Sequence, residues 1–203
     1  DPEQTLYIDT SKGRVIVELT PEVAPKHVER IKELARKKTY DGLTFFRVID
    51  MFMAQTGDPQ NTGSGSTDEP NLVAEFTFRR GKDMPFATAA APSGTQVGFV
   101  RSLPVISQSD AYMAMTADNK AAAWGTYCPG VLGMARDENP DSANSQFFLM
   151  RQSYPSLDKR YTAFGRVISG LDVVRAIKVG EPPADPDQMT QVRVLADIPE
   201  ADR

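Results

Sequence analysis

Short apolar runs separated by turn residues recur along most of the chain, whereas helical periodicity occurs in only two segments. Apolar side chains repeat at helical spacing within residues 26–37 and again within residues 170–178. Strands this short cannot bury their apolar faces singly, so the pattern predicts a closed or sandwiched antiparallel β architecture with two short helices. The strand-like runs lie at residues 6–10, 14–19, 44–49, 51–55, 130–135, 146–150, 163–167 and 191–195.

Residues 77–128 depart from this pattern, because they contain an alanine cluster at 87–91 and scattered glycines but no strong strand or long helix. A stretch of this length without regular structure is unusual inside a compact domain. Neither of its ends has the composition of a linker. We therefore predict a single domain over residues 1–203 with an irregular insertion at about 77–128.

Composition excludes several classes of function. The net charge of −4 and the pI of about 5.1 do not fit a general nucleic-acid binder. No apolar run is long enough to span a bilayer. A single cysteine, Cys128, excludes an internal disulfide and a multi-cysteine metal site, and a single histidine, His27, excludes zinc motifs with paired histidines. We expect His27 to lie on the polar surface of the first helix.

Two other patterns in the sequence do not indicate a binding site. Residues 63–67 form a Gly/Ser-rich stretch that lacks the Gly-Lys-Ser/Thr ending of a phosphate-binding loop. Asp41, Asp50 and Asp58 do not have the spacing of a calcium loop, and each lies next to a turn. We interpret the first stretch as a plain loop and the three aspartates as turn residues.

One constellation remains, at residues 45–58, where Arg47 and Gln55 stand among aromatic side chains and methionines. Because side chains alternate along a strand, Arg47, Met53 and Gln55 share one face only if the two strands pair across Asp50 and Met51. The alternative is a core with one arginine that extends its charged end to solvent. The residues themselves leave both readings open.

Residues 45–58 read Phe-x-Arg-Val-Ile-x-x-Phe-Met-x-Gln-x-Gly-Asp, which resembles the signature of cyclophilin-type peptidyl-prolyl cis-trans isomerases. Similar blocks follow in the family's order at residues 129–135 with 144–148, and at 157–158 with 161–167. The resemblance covers nearly the whole chain except about 77–128 and the last ten or so residues. It implies a closed eight-stranded antiparallel barrel capped by two α-helices. It also implies that the chain is a bacterial-like member of the family with a long insertion.

The resemblance implies an enzyme that isomerises Xaa-Pro bonds in peptides and in unfolded or partly folded proteins, without a metal or cofactor. Arg47 would be catalytic and Gln55 would orient it, while Ala135 and Arg136 would present main-chain groups to the substrate. A non-catalytic peptide-binding or chaperone module on the same barrel is the alternative. The implied substrate-binding residues are Phe52, Met53, Ala135, Arg136, Gln146, Phe148, Leu157 and Tyr161.

The chain departs from the family's pattern at several positions. Phe46 and Tyr161 each stand where the family often has histidine, and Arg136 stands where asparagine is frequent. Ser156 replaces the family's tryptophan, with Tyr154 two residues earlier. We therefore expect weak binding of cyclosporin-like ligands.

Two further expectations concern the insertion and the location. The insertion follows Glu75 and Phe76, which in the family lie beside the pocket for residues that precede the proline. It is therefore expected to build the rim of the substrate groove, with a stabilising flap as the alternative. The chain begins with Asp1 rather than methionine. Removal of a leader would fit a periplasmic or secreted location, and the cytoplasm is the alternative.

Overall fold

A computed structural model describes residues 1–202 and contains thirteen β-strands and two α-helices among short 3₁₀ turns. The helices are α1 (Pro25–Arg36) and α2 (Leu171–Ala176). None of the helices in this range is long and apolar enough to cross a bilayer. The strands are β1 (Thr5–Thr10), β2 (Gly13–Leu19), β3 (Arg47–Ile49), β4 (Met53–Thr56), β5 (Phe78–Arg80), β6 (Ala87–Ala90), β7 (Thr95–Val100), β8 (Leu103–Gln108), β9 (Ala121–Gly125), β10 (Val131–Met134), β11 (Phe147–Met150), β12 (Ala163–Ser169) and β13 (Met189–Val194).

Eight of these strands form the main sheet, in the order β13-β1-β2-β12-β10-β11-β4-β3. Every neighbouring pair is antiparallel. The predicted mainly β fold with two helices is confirmed. Its largest core cluster joins apolar side chains of both helices to those of the strands, including Leu6, Val17, Val28, Ile31, Leu34, Leu132, Phe147, Phe164 and Val174.

The main sheet curls but does not close into the predicted barrel. Its edge strands, β3 and β13, share no ladder. The chain beside them is joined by isolated bridges at Thr44–Gln188 and Val48–Gly180 and by a hydrogen bond from the N–H of Gly42 to the carbonyl of Met189. Three prolines lie between Gly180 and Gln188. Because proline has no N–H to donate, a continuous ladder cannot form along this segment.

The helix α1 begins without a side-chain cap of its own, since Ala24 precedes it. The carboxylate of Glu75 accepts hydrogen bonds from the backbone N–H groups of Lys26, at 3.2 Å, and His27, at 3.1 Å. The same carboxylate lies 2.7 Å from Nδ1 of His27, whose side chain is fully buried. The expectation of a surface histidine is wrong, because a distant acidic residue covers it and caps the helix.

The expectation of an irregular insertion is also wrong. Residues 77–128 contain a second antiparallel sheet, in the order β5-β9-β8-β7-β6. Alanine and glycine have weak strand propensity, and the all-exposed strand β6 consists of alanines and one threonine, so the sequence pattern showed no alternation. Pairing with neighbouring strands overrides this weak local preference.

Arg80 holds the second sheet together from inside. Its side chain is almost completely buried, and its guanidinium donates hydrogen bonds to Oγ of Ser107, Oε1 of Gln96 and Oδ1 of Asp110. It also lies over the ring of Phe86, 4.4 Å from the ring centre. A buried cation with this many partners satisfies its hydrogen-bonding groups and ties three strands to one 3₁₀ turn.

The second sheet packs against strands β4 and β11 of the main sheet. Val100, Leu103 and Val105 belong to a core cluster that also contains Met53 and Phe148. The first three residues come from the insertion, whereas the last two come from β4 and β11. The insertion therefore shares a core with the cavity walls described below.

Candidate active site

The pairing of β3, β4 and β11 brings the candidate residues together. Arg47 lies opposite Gln55 in the first pair, and Gln55 lies opposite Phe148 in the second. The connection between β3 and β4 passes through Met51, which adopts a positive φ of 55°. The pairing required for Arg47, Met53 and Gln55 to share a face is therefore present.

A cavity of about 220 Å³ opens beside these strands. Arg47, Gln55 and Arg136 are its polar lining residues, and the other side chains of its wall are apolar or aromatic, with Met53 and Phe148 buried. Phe46, the residue before β3, is buried but does not line it, and its ring lies against Gly63 instead. The lining residues are Arg47, Phe52, Met53, Gln55, Ala135, Arg136, Phe148, Leu157 and Tyr161.

The ring of Phe148 can occupy the cavity wall because Gly133 faces it from β10. A Cβ atom at Gly133 would lie 2.4 Å from Cζ of Phe148 and 2.6 Å from the hydroxyl of Tyr127. Real side chains do not approach this closely, so only glycine leaves room for both rings. Tyr161 then meets Phe148 edge-on, with ring centres 5.9 Å apart.

Arg47 is held from two sides. Its Nη1 donates to Oε1 of Gln55 at 3.3 Å, and its Nε donates to Oε1 of Glu181 at 2.9 Å. Its side chain is 44% exposed. Within the described residues Nη2 has no hydrogen-bond partner, so the guanidinium keeps donors that a ligand in the cavity could use.

Gln55 is itself fixed by a chain of amides. Its Nε2 donates to Oε1 of Gln146 at 3.1 Å, and Nε2 of Gln146 donates to the carbonyl of Gly65 at 2.8 Å. The loop that contains Gly65 is organised by Asp58, a fully buried carboxylate. The polar side of the cavity is therefore connected through three hydrogen-bonded groups to an ordered loop.

Asp58 orders its loop by accepting backbone hydrogen bonds. The N–H groups of Gln60, Thr62, Gly63 and Gly65 donate to its oxygens over 2.6–3.1 Å. Burial opposes ionisation of Asp58, but these hydrogen bonds outweigh it and lower the pKa of the carboxyl below its ordinary value. The aspartate is a turn residue, as interpreted from the sequence.

A second cavity of about 470 Å³ adjoins the first and shares Gln55, Ala135 and Arg136 with it. Gln146 lines this second cavity rather than the first. Neither cavity is lined by a residue of the insertion. The insertion therefore supplies no lining residue to either cavity, while Val100, Leu103 and Val105 pack in the core cluster behind the first one. Its expected contribution to the rim of the substrate groove stays a prediction.

Ala135 lies just past the end of β10 and lines both cavities, and its expected main-chain contact with the substrate stays a prediction. The backbone N–H of Ala135 donates to the carbonyl of Gln146 at 2.9 Å. The guanidinium of Arg136 lies over the ring of Tyr161, 4.6 Å from its centre, and donates to the carbonyl of Arg160. Arg136 therefore forms a stacked part of the cavity rim.

The wall at Leu157 is tied to the end of the insertion. The carboxylate of Asp158 accepts hydrogen bonds from Oγ1 of Thr126 at 2.8 Å and from the backbone N–H of Tyr127 at 2.9 Å. The ammonium of Lys159 lies 3.7 Å from the ring centre of Trp124. Sequence reasoning missed these contacts and also Glu181, because no local pattern links residues so far apart in the chain.

The fold and the cavity define the class of protein, a mainly β protein with the cyclophilin fold and a cavity that is edged by arginine and lined mostly by apolar side chains. The chain belongs to the cyclophilin-type peptidyl-prolyl cis-trans isomerase family, since the family model "Cyclophilin type peptidyl-prolyl cis-trans isomerase/CLD" matches residues 5–196. The predicted family is confirmed.

Relatives agree with this assignment. A "Probable peptidyl-prolyl cis-trans isomerase" of Brucella suis is 34% identical over 213 residues, which cover 97% of this chain and 85% of the relative. The crystal structure of cyclophilin AquaCyp293 from Hirschia baltica is 36% identical, with a TM-score of 0.93 over 100% of this chain and 78% of that one. The predicted enzyme class, a peptidyl-prolyl cis-trans isomerase, is confirmed.

A more distant structure shows the fold alone. A Cryptosporidium parvum cyclophilin type peptidyl-prolyl cis-trans isomerase is 21% identical, with a TM-score of 0.65 over 94% of this chain and 98% of that one. The roles of individual cavity residues stay predictions.

Proposed function

We propose that the smaller cavity binds the proline ring of an Xaa-Pro segment and that Arg47 is the catalytic residue. The observation that carries this proposal is the position of Arg47, which lies at the edge of an apolar cavity with unused donors on its guanidinium. The experiment compares isomerisation of a short Xaa-Pro peptide by the wild type and by Arg47→Ala. Equal activity of the two folded proteins would contradict the proposal.

Rotation about the prolyl bond is slow because the amide loses its resonance, with a barrier of about 18–20 kcal/mol. In the twisted transition state the prolyl nitrogen becomes pyramidal and holds a localised lone pair. A guanidinium N–H of Arg47 that donates to this lone pair forms an interaction that the planar ground state lacks. Such an interaction lowers the barrier instead of only tightening binding.

Arginine suits this role better than lysine. Its planar group stays charged and presents several donors in fixed directions, so that one nitrogen can bind Gln55 while another reaches the substrate. The apolar walls at Met53 and Phe148 exclude water from the ring, which strengthens the electrostatic interaction at its edge. The chemistry needs no nucleophile, metal or cofactor.

The substrates that we propose are proline-containing peptides and unfolded or partly folded proteins. The two adjoining cavities fit an extended chain whose proline occupies the smaller one and whose neighbouring residues occupy the larger one. A non-catalytic peptide-binding module is the alternative function. Binding of an Xaa-Pro peptide without acceleration of its isomerisation would favour that alternative.

Two further hypotheses stand beside this one. Cyclosporin-like ligands are expected to bind weakly, because Ser156 stands where the family has tryptophan. A periplasmic or secreted location is proposed, with the cytoplasm as the alternative. Cell fractionation with an antibody against the protein distinguishes the two locations.

A further inference from the structure

The guanidinium of Arg47 forms an ion pair with Glu181, a residue that the cavity itself does not include. The distance from Nε of Arg47 to Oε1 of Glu181 is 2.9 Å, and the two side chains are 44% and 55% exposed. Together with Gln55, which accepts from Nη1, Glu181 restrains the guanidinium at two of its three nitrogens. Nη2 is left without a partner among the described residues.

The backbone brings Glu181 to this place. Val48 and Gly180 exchange two hydrogen bonds, N–H of Val48 to the carbonyl of Gly180 at 2.8 Å and N–H of Gly180 to the carbonyl of Val48 at 2.9 Å. Arg47 precedes Val48 and Glu181 follows Gly180 in this antiparallel bridge. The bridge therefore places their side chains next to each other.

The geometry at Gly180 allows this close approach. Its φ is +154°, and a Cβ atom there would lie 2.5 Å from Cα of Pro183. A side chain at this position would clash with the backbone of Pro182 and Pro183, so the turn at Glu181 could not keep its shape. Glycine thus lets the chain bend so that Glu181 reaches the arginine.

Stability does not account for the pair. Ion pairs between side chains this exposed contribute little to folding, because water and salt screen them and ordering both side chains has an entropic cost. A long arginine side chain at the edge of an open cavity has many rotamers, and only some direct donors into the cavity. A carboxylate that holds Nε selects among those rotamers.

We propose that Glu181 is a positioning residue for Arg47, which rests on the proposed catalytic role of that arginine. Its carboxylate binds Nε and leaves the Nη nitrogens for Gln55 and for the substrate. Glu181 does not contact the proline ring, so its effect falls on kcat and not on KM. We expect Glu181→Ala to lower kcat about three- to tenfold, as one lost orienting contact would.

The test compares Glu181→Ala with Glu181→Gln and with a matched control, Asp185→Ala. Glutamine keeps an oxygen that can accept from Nε, so Glu181→Gln should retain most of the wild-type kcat. Asp185 lies in the same segment and pairs with Lys178, away from the cavity. Its replacement should leave kcat and KM unchanged. Each variant is assayed on one uncharged Xaa-Pro peptide, and its Tm is measured.

A double variant separates this proposal from the proposed function. Glu181→Ala should cause no further loss of kcat when it is added to Arg47→Ala, because there is no guanidinium left to orient. If Glu181→Ala keeps the wild-type kcat, the positioning role of Glu181 is overturned. The proposed catalytic role of Arg47 is not affected by that result, because Arg47→Ala tests it separately. An equal loss in Asp185→Ala, or a rise in KM at unchanged kcat, would also overturn it. Near-normal activity of Arg47→Ala would instead overturn the proposed function.

Discussion

The ring of Tyr154 packs against the ring of Phe52, with centres 4.4 Å apart and planes inclined by 38°. Phe52 lines the smaller cavity, whereas Tyr154 stands outside it and is 43% exposed. An aromatic side chain thus lies beside the rim, two residues before Ser156, which the resemblance to the family aligns with its tryptophan. Tyr154 offers a hydroxyl, which can donate or accept a hydrogen bond, in place of the indole N–H of tryptophan, which only donates.

Introducing the missing tryptophan should improve binding of cyclosporin. We expect Ser156→Trp to gain about 1–3 kcal/mol of binding free energy over the wild type, because it adds a large ring with a donor at the rim. Calorimetric titration measures the affinity, and Ser153→Trp, at another exposed position, is the control. Equal affinity of the wild type and Ser156→Trp would show that Tyr154 already supplies this contact.

Removing the guanidinium of Arg47 should affect catalysis far more than folding. We expect Arg47→Ala to lower kcat/KM by about 10²- to 10³-fold, the usual effect of losing a transition-state donor. Its Tm should stay close to that of the wild type, because the side chain is 44% exposed. Arg79→Ala, which removes an exposed ion pair with Asp118 in the insertion, is the control and should keep full activity.

Activity should be nearly constant from about pH 6 to 8, the range in which histidine ordinarily titrates. No residue that lines the smaller cavity is histidine, cysteine, aspartate or glutamate. The protein's histidine, His27, is buried against Glu75 at the start of α1. A kcat/KM profile over this range checks the expectation, and a bell-shaped curve would reveal an ionising group in the reaction.

Stability should fall in acid partly through Asp58. Because hydrogen bonds lower its folded pKa despite burial, the carboxyl stabilises the fold above its unfolded pKa of about 4. This contribution is lost as the pH falls through the folded pKa. We expect Asp58→Asn to reduce the free energy of unfolding at pH 7 by about 1–3 kcal/mol. Urea denaturation at several pH values should show a smaller loss in acid for Asp58→Asn than for the wild type.

The insertion should matter for stability more than for peptide preference. Leu103 is fully buried in the core cluster that includes Phe148. We expect Leu103→Ala to reduce the free energy of unfolding by about 2–5 kcal/mol and to leave the ranking of Xaa-Pro peptides unchanged. The control is Met115→Ala, at a side chain that is 71% exposed, which should change the free energy of unfolding by about 0.5 kcal/mol or less. If Leu103→Ala altered the ranking of Xaa-Pro peptides but left the free energy of unfolding unchanged, the insertion would instead contribute to the rim of the substrate groove.

Local pattern predicted the strands of the main sheet well. The two strands around Asp50 and Met51 pair as required, because alternation and a short turn leave few other registers. The face that joins Arg47 to Gln55 followed directly from that pairing. The sequence did not predict the second sheet. Strands such as β6 contain residues with weak strand propensity, and they form because they pair with neighbouring strands, here β7.

The sequence by itself determined the family and the mainly β class, because its signature blocks are contiguous. The resemblance to that family, rather than strand alternation, also implied the residues that line the smaller cavity, together with Gln146, which lines the larger one. Only the tertiary structure decided that the sheet stays open, that Glu75 buries His27 and that Glu181 reaches Arg47. Each of these outcomes depends on contacts between segments far apart in the chain. Such contacts are selected by the packing of the whole fold, and no local periodicity encodes them.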